Sequence, residues 1–361
     1  MANIGFLGAG GIARAHAFSL NALKYYYNDA AEANFVSVAS ARAKSRSAFA
    51  GRYGFSRAED VESFAASNDI DTVFILGPNN VHFEHLNLAL EMPAVKNVYL
   101  EKPVCASESE EKQMKAIAGD HSKQVNIQVG FQYLLTASVR EALAFWKSGI
   151  LGKPIHFDLK YYHGDYLQKS YRNKRQTRLT PAPDGGAMAD LGSHGISLLM
   201  AFLGEDLRIL NAMQAGGFDD VPVDSDLFSS ISLIDSSTRA AGSMSASRIS
   251  AGTGDLVQLE IYAEKGTLKY SSHHVDYFEY FLEETGQWIK QPIGSNYKPV
   301  TSFPSGHVPP GWLRAMIHAH YVFLGGRDEK AFIPDLIHGL AVQRIVRETA
   351  SHLGEFRSNL P

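Results

Sequence analysis

Three side chains in this sequence carry groups able to move a proton or hold an oxyanion beside a reacting carbon. Lys102 stands in Tyr99-Leu100-Glu101-Lys102-Pro103, and Asp190 and His194 stand four apart in Asp190-Leu191-Gly192-Ser193-His194, just after Gly185-Gly186. A lysine ammonium stabilises a developing alkoxide. Pro103 biases Lys102 away from helical geometry, which restricts where that ammonium points. A histidine titrates near neutrality and suits removal of a proton from an alcohol. If the Asp190 segment is helical, the carboxylate and the imidazole share a face, and the acid orients the base or binds a substrate hydroxyl. Each feature alone has an ordinary structural reading as well. A lysine at a strand end is a surface residue, and an Asp–His pair is a helix N-terminal acid with a satisfied core histidine.

What positions these residues is an alternation of short apolar runs and amphipathic stretches. Ile4-Gly5-Phe6-Leu7, Phe35 to Ala39, Thr72 to Leu76, Val98 to Leu100 and Val125 to Val129 read as strands. Ile12 to Leu20, Ala43 to Tyr53, His82 to Glu91 and Ser107 to Ala118 between them read as helices. Such alternation implies a parallel sheet with both faces covered. Lys102 then falls at the carboxyl edge of that sheet, where open α/β sheets bind ligands.

Gly8-Ala9-Gly10-Gly11-Ile12-Ala13 fits G-x-G-x-x-A between the first strand and the first helix. Gly8 permits the tight turn, Gly10 admits a pyrophosphate to the helix N-terminus, and Ala13 keeps the helix close to the sheet. The turn, through Gly8, Gly10, Gly11 and Ile12, is expected to hold a dinucleotide. An acid at the end of the second strand would select NAD. The chain instead offers Ser40, then Ala41, Arg42, Ala43 and Lys44. Ser40 and Arg42 suit a 2′-phosphate, so NADP is favoured over NAD, although Arg42 and Lys44 also read as the solvated start of a helix. Tyr25 to Glu32 reads as an insertion before the second strand.

Past Gly149 the pattern changes. Ile155 to Tyr162 reads as a long strand, His163 to Gly186 as a polar, aromatic and basic stretch, and Met188 to Leu203 as a helix. Leu227 to Leu233, Ala240 to Ile249, Val257 to Tyr262 and Thr267 to Tyr270 read as strands of a mostly antiparallel sheet. Ile333 to Leu353 is apolar at helical spacing. The expected architecture is α/β: a Rossmann doubly wound parallel sheet over 1–130, then an α+β domain over 131–361 on a large, mostly antiparallel open sheet. The C-terminal helix is free to pack back on the first domain.

The 361 residues exceed what one compact core usually absorbs. With 45% apolar and 20% charged residues, the composition is that of a soluble globular protein. A net charge of −4 argues against a dedicated nucleic-acid binder. The lone cysteine, Cys105, permits no intramolecular disulfide, and it reads as a small core residue before it reads as a reactive thiol. No apolar run is long enough to span a bilayer, and the N-terminus reads as a strand rather than a signal peptide, so a cytoplasmic protein is expected. No Cys/His spacing suggests a metal site, and none is expected.

Together these pieces resemble the Gfo/Idh/MocA oxidoreductases. The matching elements are the glycine turn, Gly77-Pro78-Asn79-Asn80-Val81-His82, Glu101-Lys102-Pro103, Gly130-Phe131-Gln132-Tyr133, and the run from Gly185 to His194. Their order and spacing fit over essentially the whole chain. The resemblance implies that Gly77, Asn79, His82, Glu101, Lys102 and Gln132 line the cofactor. It further implies that Lys102 polarises the reacting hydroxyl, His194 acts as general base and Asp190 positions substrate. Tyr133, Tyr162, Tyr171 and Arg172 would line a sugar or cyclitol, with Tyr171-Arg172 at the place of the family's aromatic–Arg pair. The family's large sheet commonly mediates homodimers or homotetramers. The basic cluster Arg172, Lys174, Arg175 and Arg178 reads either as a reader of an anionic substrate group or as a solvated loop. His307, Trp312, His318 and His320 read as a core or interface cluster, with the reach of one member into the site as the alternative.

The function implied is NAD(P)-dependent hydride transfer between the nicotinamide and a ring carbinol or ketone. Two alternatives share the fold: a glycosidase-type enzyme using transient oxidation, and a non-catalytic nucleotide sensor. Retention of both Lys102 and His194 counts against the sensor.

Overall fold

The computed structural model describes residues 1–120, 125–180, 185–293 and 312–358. His307 and the side chain of Trp312 lie outside what is described. The chain divides into two compact units, Met1–Thr136 with Ser295–Leu340, and Ala137–Gly294 with Ala341–Pro361. The division therefore falls a few residues beyond the expected 130, and a C-terminal stretch returns to the first unit. The returning helix, Trp312–Phe323, packs on the helix Gly11–Tyr26 and on the short turn Gln132–Leu135.

The first unit is built on six parallel strands: β1 (Ala2–Leu7), β2 (Ala33–Ala39), β3 (Arg57–Glu59), β4 (Thr72–Ile75), β5 (Asn97–Leu100) and β6 (Asn126–Val129). Their order is β3-β2-β1-β4-β5-β6, so the chain reverses direction across the sheet between β1 and β4. That reversal makes the crevice in which doubly wound sheets bind dinucleotides. Register brings Phe6, Phe74 and Tyr99 side by side on one face. Their rings lie 5.2 and 5.1 Å apart, and Phe323 from the returning helix meets Phe74 edge-on at 5.6 Å. Such aromatic pairs each add about 0.5–1.5 kcal/mol beyond the area they bury.

The segment 25–32, read above as an insertion, is held by the same returning helix. Tyr27 stacks on Tyr321 at 4.1 Å, its hydroxyl meets Nδ1 of His318 at 2.6 Å, and Arg314 donates to that hydroxyl at 2.8 Å. His318 in turn meets Asp328 at 2.7 Å.

The second unit is an eight-stranded sheet of β7 (Pro154–Tyr162), β8 (Leu207–Ala215), β9 (Phe228–Asp235), β10 (Ala241–Ser247), β11 (Leu256–Ala263), β12 (Gly266–Ser271), β13 (Tyr277–Leu282) and β14 (Gln287–Pro292). The order is β14-β13-β12-β11-β7-β10-β9-β8. β7 and β10 pair in parallel and the other neighbours pair antiparallel. Buried Phe157, Leu159 and Tyr161 alternate along β7 with exposed His156 and Asp158, as a half-covered sheet requires. The helix Ser193–Leu203 covers β7 and β10, and the helix Ala137–Lys147 covers β12 and β13. No helix among the described residues is long and apolar enough to cross a membrane.

Candidate active site

In the first unit, the glycine turn sits where the sheet reverses. Gly8 has φ +134°, and a Cβ there would stand 2.6 Å from the Leu76 carbonyl carbon, so only glycine fits between β1 and β4. Its N–H is held by Ala39 O at 2.9 Å, which ties the turn to the end of β2. Cβ atoms built on Gly10 and Gly11 would meet nothing within 4 Å. Gly10 caps the helix Gly11–Tyr26 with no side-chain hydrogen bond, and Ile12 is half-buried while Ala13 is fully buried against the sheet. An open approach to a helix N-terminus fits a pyrophosphate.

Past the end of β2, Ser40 keeps its hydroxyl buried and unpartnered, while its carbonyl accepts from Arg46 at 2.9 Å. Arg42 is exposed as the N-cap of the helix Ala43–Tyr53, and its first turn carries no acid. Gly77 follows β4, and the His82 ring bridges the carbonyl oxygens of Gly77 (2.9 Å) and Pro103 (2.8 Å). That bridge ties the Glu101-Lys102-Pro103 turn to the loop after β4, so His82 braces the edge on which it was expected to touch the cofactor. Asn79 is buried and reaches Cys105 O at 3.5 Å. Lys102 is half-buried at the end of β5, joined to Pro103 by a cis peptide bond. Gln132 and Tyr133 lie in the buried turn Gln132–Leu135.

Glu101 is itself held by His16, which was not expected at the site, and through it by His320. Its Oε1 meets Nε2 of His16 at 2.9 Å, and Nδ1 of His16 meets Nε2 of His320 at 2.8 Å. His16 falls with Ala13, Ala17 and Leu20 on the buried stripe of its helix. A histidine at that spacing is the sequence signal for it. His320 and His318 are core residues of this unit, each holding a neighbour in place.

In the second unit, Met188–Gly192 forms a π-helical turn that runs into the helix Ser193–Leu203. Wide turns of this kind are rare and concentrate at functional sites. Asp190 and His194 thus lie either side of the junction, and four residues are still close to one turn. The start of the turn is fixed by Asp226, whose carboxylate accepts from Met188 N–H at 2.9 Å and whose carbonyl accepts from Ala187 N–H at 2.8 Å. Gly186 has φ +89°, and a Cβ there would lie 2.5 Å from Asp226 Oδ2, which accounts for the second glycine of the pair.

Asp190 is gripped by Arg248. Nη2 donates to Asp190 Oδ2 at 2.7 Å, and Nη1 donates to the Arg178 carbonyl at 2.6 Å. The guanidinium also stacks 4.7 Å from the Tyr166 ring, and Tyr166 meets Tyr171 edge-on at 5.0 Å. Arg248 is fully buried. His163 lies in the field of Asp165, Arg248 and Asp190, and burial holds its imidazole below the usual histidine range. His194 is buried beside Tyr161, with ring centroids 6.2 Å apart.

Two expectations for substrate contacts change. Tyr162 follows Tyr161 on β7 and points to the opposite face, where its hydroxyl meets Ser245 Oγ at 2.6 Å. The period of two along a strand leaves Tyr161, not Tyr162, on the face of His194. Arg172 is buried and uses its guanidinium to hold its own loop and the segment between β8 and β9. It donates to Tyr166 O (2.8 Å), Leu167 O (2.9 Å) and both oxygens of Asp220 (2.9 and 3.0 Å), and it stacks on Phe218. Arg172 is a brace for the loop rather than a reader of an anionic group. Arg175 stacks over Tyr171 at 4.5 Å, while Lys174 is exposed.

A dinucleotide turn on a Rossmann sheet and an Asp–His pair on a widened turn define an oxidoreductase. Residues 2–131 match the oxidoreductase family with an NAD-binding Rossmann fold, and residues 139–269 match the GFO/IDH/MocA C-terminal domain. The chain belongs to the GFO/IDH/MocA oxidoreductases. It is similar to levoglucosan dehydrogenase of Pseudarthrobacter phenanthrenivorans, 27% identical over 301 residues that cover 76% of this chain and 74% of that protein. It is also similar to glucose-6-phosphate 3-dehydrogenase of Bacillus subtilis, 27% identical over 202 residues, 55% of this chain and 53% of that one. Among solved structures, levoglucosan dehydrogenase in complex with NADH and levoglucosan matches with a TM-score of 0.82 at 21% identity, over 98% of this chain and 97% of that one. An inositol dehydrogenase homolog complexed with NAD+ from Azotobacter vinelandii matches with a TM-score of 0.78 at 18% identity, over 98% and 95%. At these identities the two structures speak for the fold.

Proposed function

We propose that this oxidoreductase acts on a ring carbinol, or the corresponding ketone, of a sugar, sugar derivative or cyclitol. The observation that carries the reading is the Asp190–His194 pair, with Asp190 anchored by a buried guanidinium and His194 set beside an aromatic ring. The names of the similar dehydrogenases support the substrate class.

The nicotinamide supplies the hydride acceptor or donor. The residues of the chain do the rest. The His194 imidazole takes the hydroxyl proton as hydride leaves the carbon, and returns it in the reverse direction. Lys102 Nζ donates to the oxygen as negative charge develops on it. Asp190 accepts from a second hydroxyl of the ring, which fixes the carbon presented for oxidation. Tyr161 and Tyr171 offer apolar faces to the ring. Gly8, Gly10, Gly11 and Ile12 hold the pyrophosphate, and Asn79, Glu101 and Gln132 line the remainder of the cofactor. A preference for NADP over NAD belongs to this reading, supported by Ser40 and the exposed Arg42 and by the lack of a carboxylate from 40 to 44. So does self-association through the exposed face of the eight-stranded sheet, and so does a cytoplasmic setting.

The test is a panel of sugars and cyclitols offered with NAD and with NADP, followed by nicotinamide absorbance. Turnover of at least one ring alcohol is expected. A panel in which only acyclic alcohols react would overturn the substrate class.

A further inference from the structure

The Glu101 carboxylate ends a line of three buried side chains. A carboxylate oxygen accepts, so Nε2 of His16 carries the proton in the 2.9 Å contact to Oε1. Nδ1 of His16 is then the acceptor in its 2.8 Å contact with His320, whose Nε2 must donate. That leaves Nδ1 of His320 bare, and it is the ring atom with no hydrogen-bond partner among the described residues. One tautomer set thus satisfies every contact. Full burial, with His16 adding in the same sense, holds His320 well below the usual histidine range, which suits a neutral donor. The two imidazoles stack at 5.0 Å, and the rings of Phe74 and Tyr99 each pack edge-on against both of them.

The carboxylate is closed on another side by Gly130, where a Cβ would lie 2.6 Å from Oε1. Oε2 accepts from the Lys102 backbone N–H at 3.3 Å. With four lone-pair directions on a carboxylate, two contacts leave capacity for further donors. Glu101 follows β5 at the carboxyl edge of the sheet. Among the donors a dinucleotide carries are its ribose hydroxyls.

We propose that His16 and His320 are positioning residues that fix the Glu101 carboxylate to accept from a hydroxyl of the bound dinucleotide. This rests on the cofactor reading above. The two histidines touch neither substrate nor reacting atoms. They act on cofactor affinity through Glu101, and the donor nearest the carboxylate matters most.

The test uses the full-length protein and titration with NADH and with NADPH, followed by nicotinamide fluorescence, beside steady-state kinetics. His16→Leu removes the donor and keeps the bulk apolar. It is expected to raise the dinucleotide Kd by about tenfold or more, the usual range for a hydrogen bond to a charged group. Turnover at saturating cofactor should stay within about twofold, because the chemistry is left in place. His16→Gln restores an Nε2 donor and should recover most of the affinity, which a purely structural role would not produce. His320→Leu should weaken binding less than His16→Leu and carries the test if His16→Leu does not fold. An unchanged Kd in the folded leucine variants overturns the proposal, as does equal weakening in His16→Gln and His16→Leu. Failure of the wild-type chain to bind either dinucleotide would instead overturn the cofactor reading itself, and the proposal with it.

Discussion

Arg248 donates to Asp190 at 2.7 Å from a fully buried position and, through its other terminal nitrogen, to the carbonyl of Arg178. One guanidinium thereby joins the acid of the candidate site to the aromatic and basic loop. Removing one partner of a buried pair leaves the other uncompensated, at about 3–5 kcal/mol for a fully buried pair and less here because Asp190 is partly exposed. Arg248→Met is therefore expected to lower both the melting temperature and kcat/KM. Adding Asp190→Asn should recover part of the stability without recovering activity. A thermal-unfolding double-mutant cycle measures this, and additive losses would show that the two residues are not coupled.

Lys102→Ala and His194→Ala are each expected to cut turnover by on the order of 100-fold while the dinucleotide still binds. Single-turnover rates with saturating cofactor are the measurement. Near-wild-type turnover in either variant removes that residue from the chemistry.

Tyr161 and Tyr162 are neighbours on β7 with opposite prospects. Tyr161→Ala removes an aromatic wall beside His194 and should raise the substrate KM by about tenfold, the scale of one packed ring contact. Tyr162→Phe removes a hydroxyl from the other face and should leave KM and kcat within about twofold, as surface changes usually do. The reverse ranking would place the substrate on the wrong face of the strand.

Arg42→Ala should weaken NADPH binding by about tenfold, the loss expected for a charge-assisted contact to phosphate, and leave NADH binding unchanged. Equal effects on the two cofactors would show that Arg42 does not meet the 2′-phosphate.

Burial pushes the Asp226 carboxyl above its ordinary range, against the opposing pull of Ser229 and the Met188 N–H. Its folded value lies above its unfolded one. The stability it contributes is therefore complete below the unfolded value near pH 4 and is lost as pH rises through the folded value. Asp226→Asn keeps an acceptor for Met188 and offers Ser229 a donor. The variant should melt at the wild-type temperature or lower near pH 4 and gain on wild type toward neutrality. Parallel melting curves across that range would sink the idea.

Much of the first unit was legible because its signals are local. The helices Ala43–Tyr53 and His82–Glu91 have the bounds that apolar spacing suggested, and the glycine turn announces its strand–turn–helix fold. The strand Arg57–Glu59 was not seen, since three half-buried residues at a sheet edge show no alternation. The π-turn at Met188–Gly192 reads as plain helix in sequence, because a widened turn keeps the same residue preferences. Arg248 and Asp226 were invisible for a different reason. They lie 58 and 38 residues from the atoms they hold, and a charged side chain in sequence carries no mark of burial. Tyr162 was expected to line the substrate, yet at a period of two along β7 it is Tyr161 that shares the face of His194.

The helix Trp312–Phe323 has a consequence for how the chain is made. Tyr27 and His16 leave the ribosome well before the groups they meet, Arg314, His318, His320 and Tyr321, which follow about three hundred residues later. Until then the His16 imidazole and the Tyr27 phenol lack these partners. The nucleotide-binding sheet is begun first on the ribosome and finished late, so a nascent or truncated chain ending before residue 312 should expose the Phe74–Tyr99 surface to chaperones.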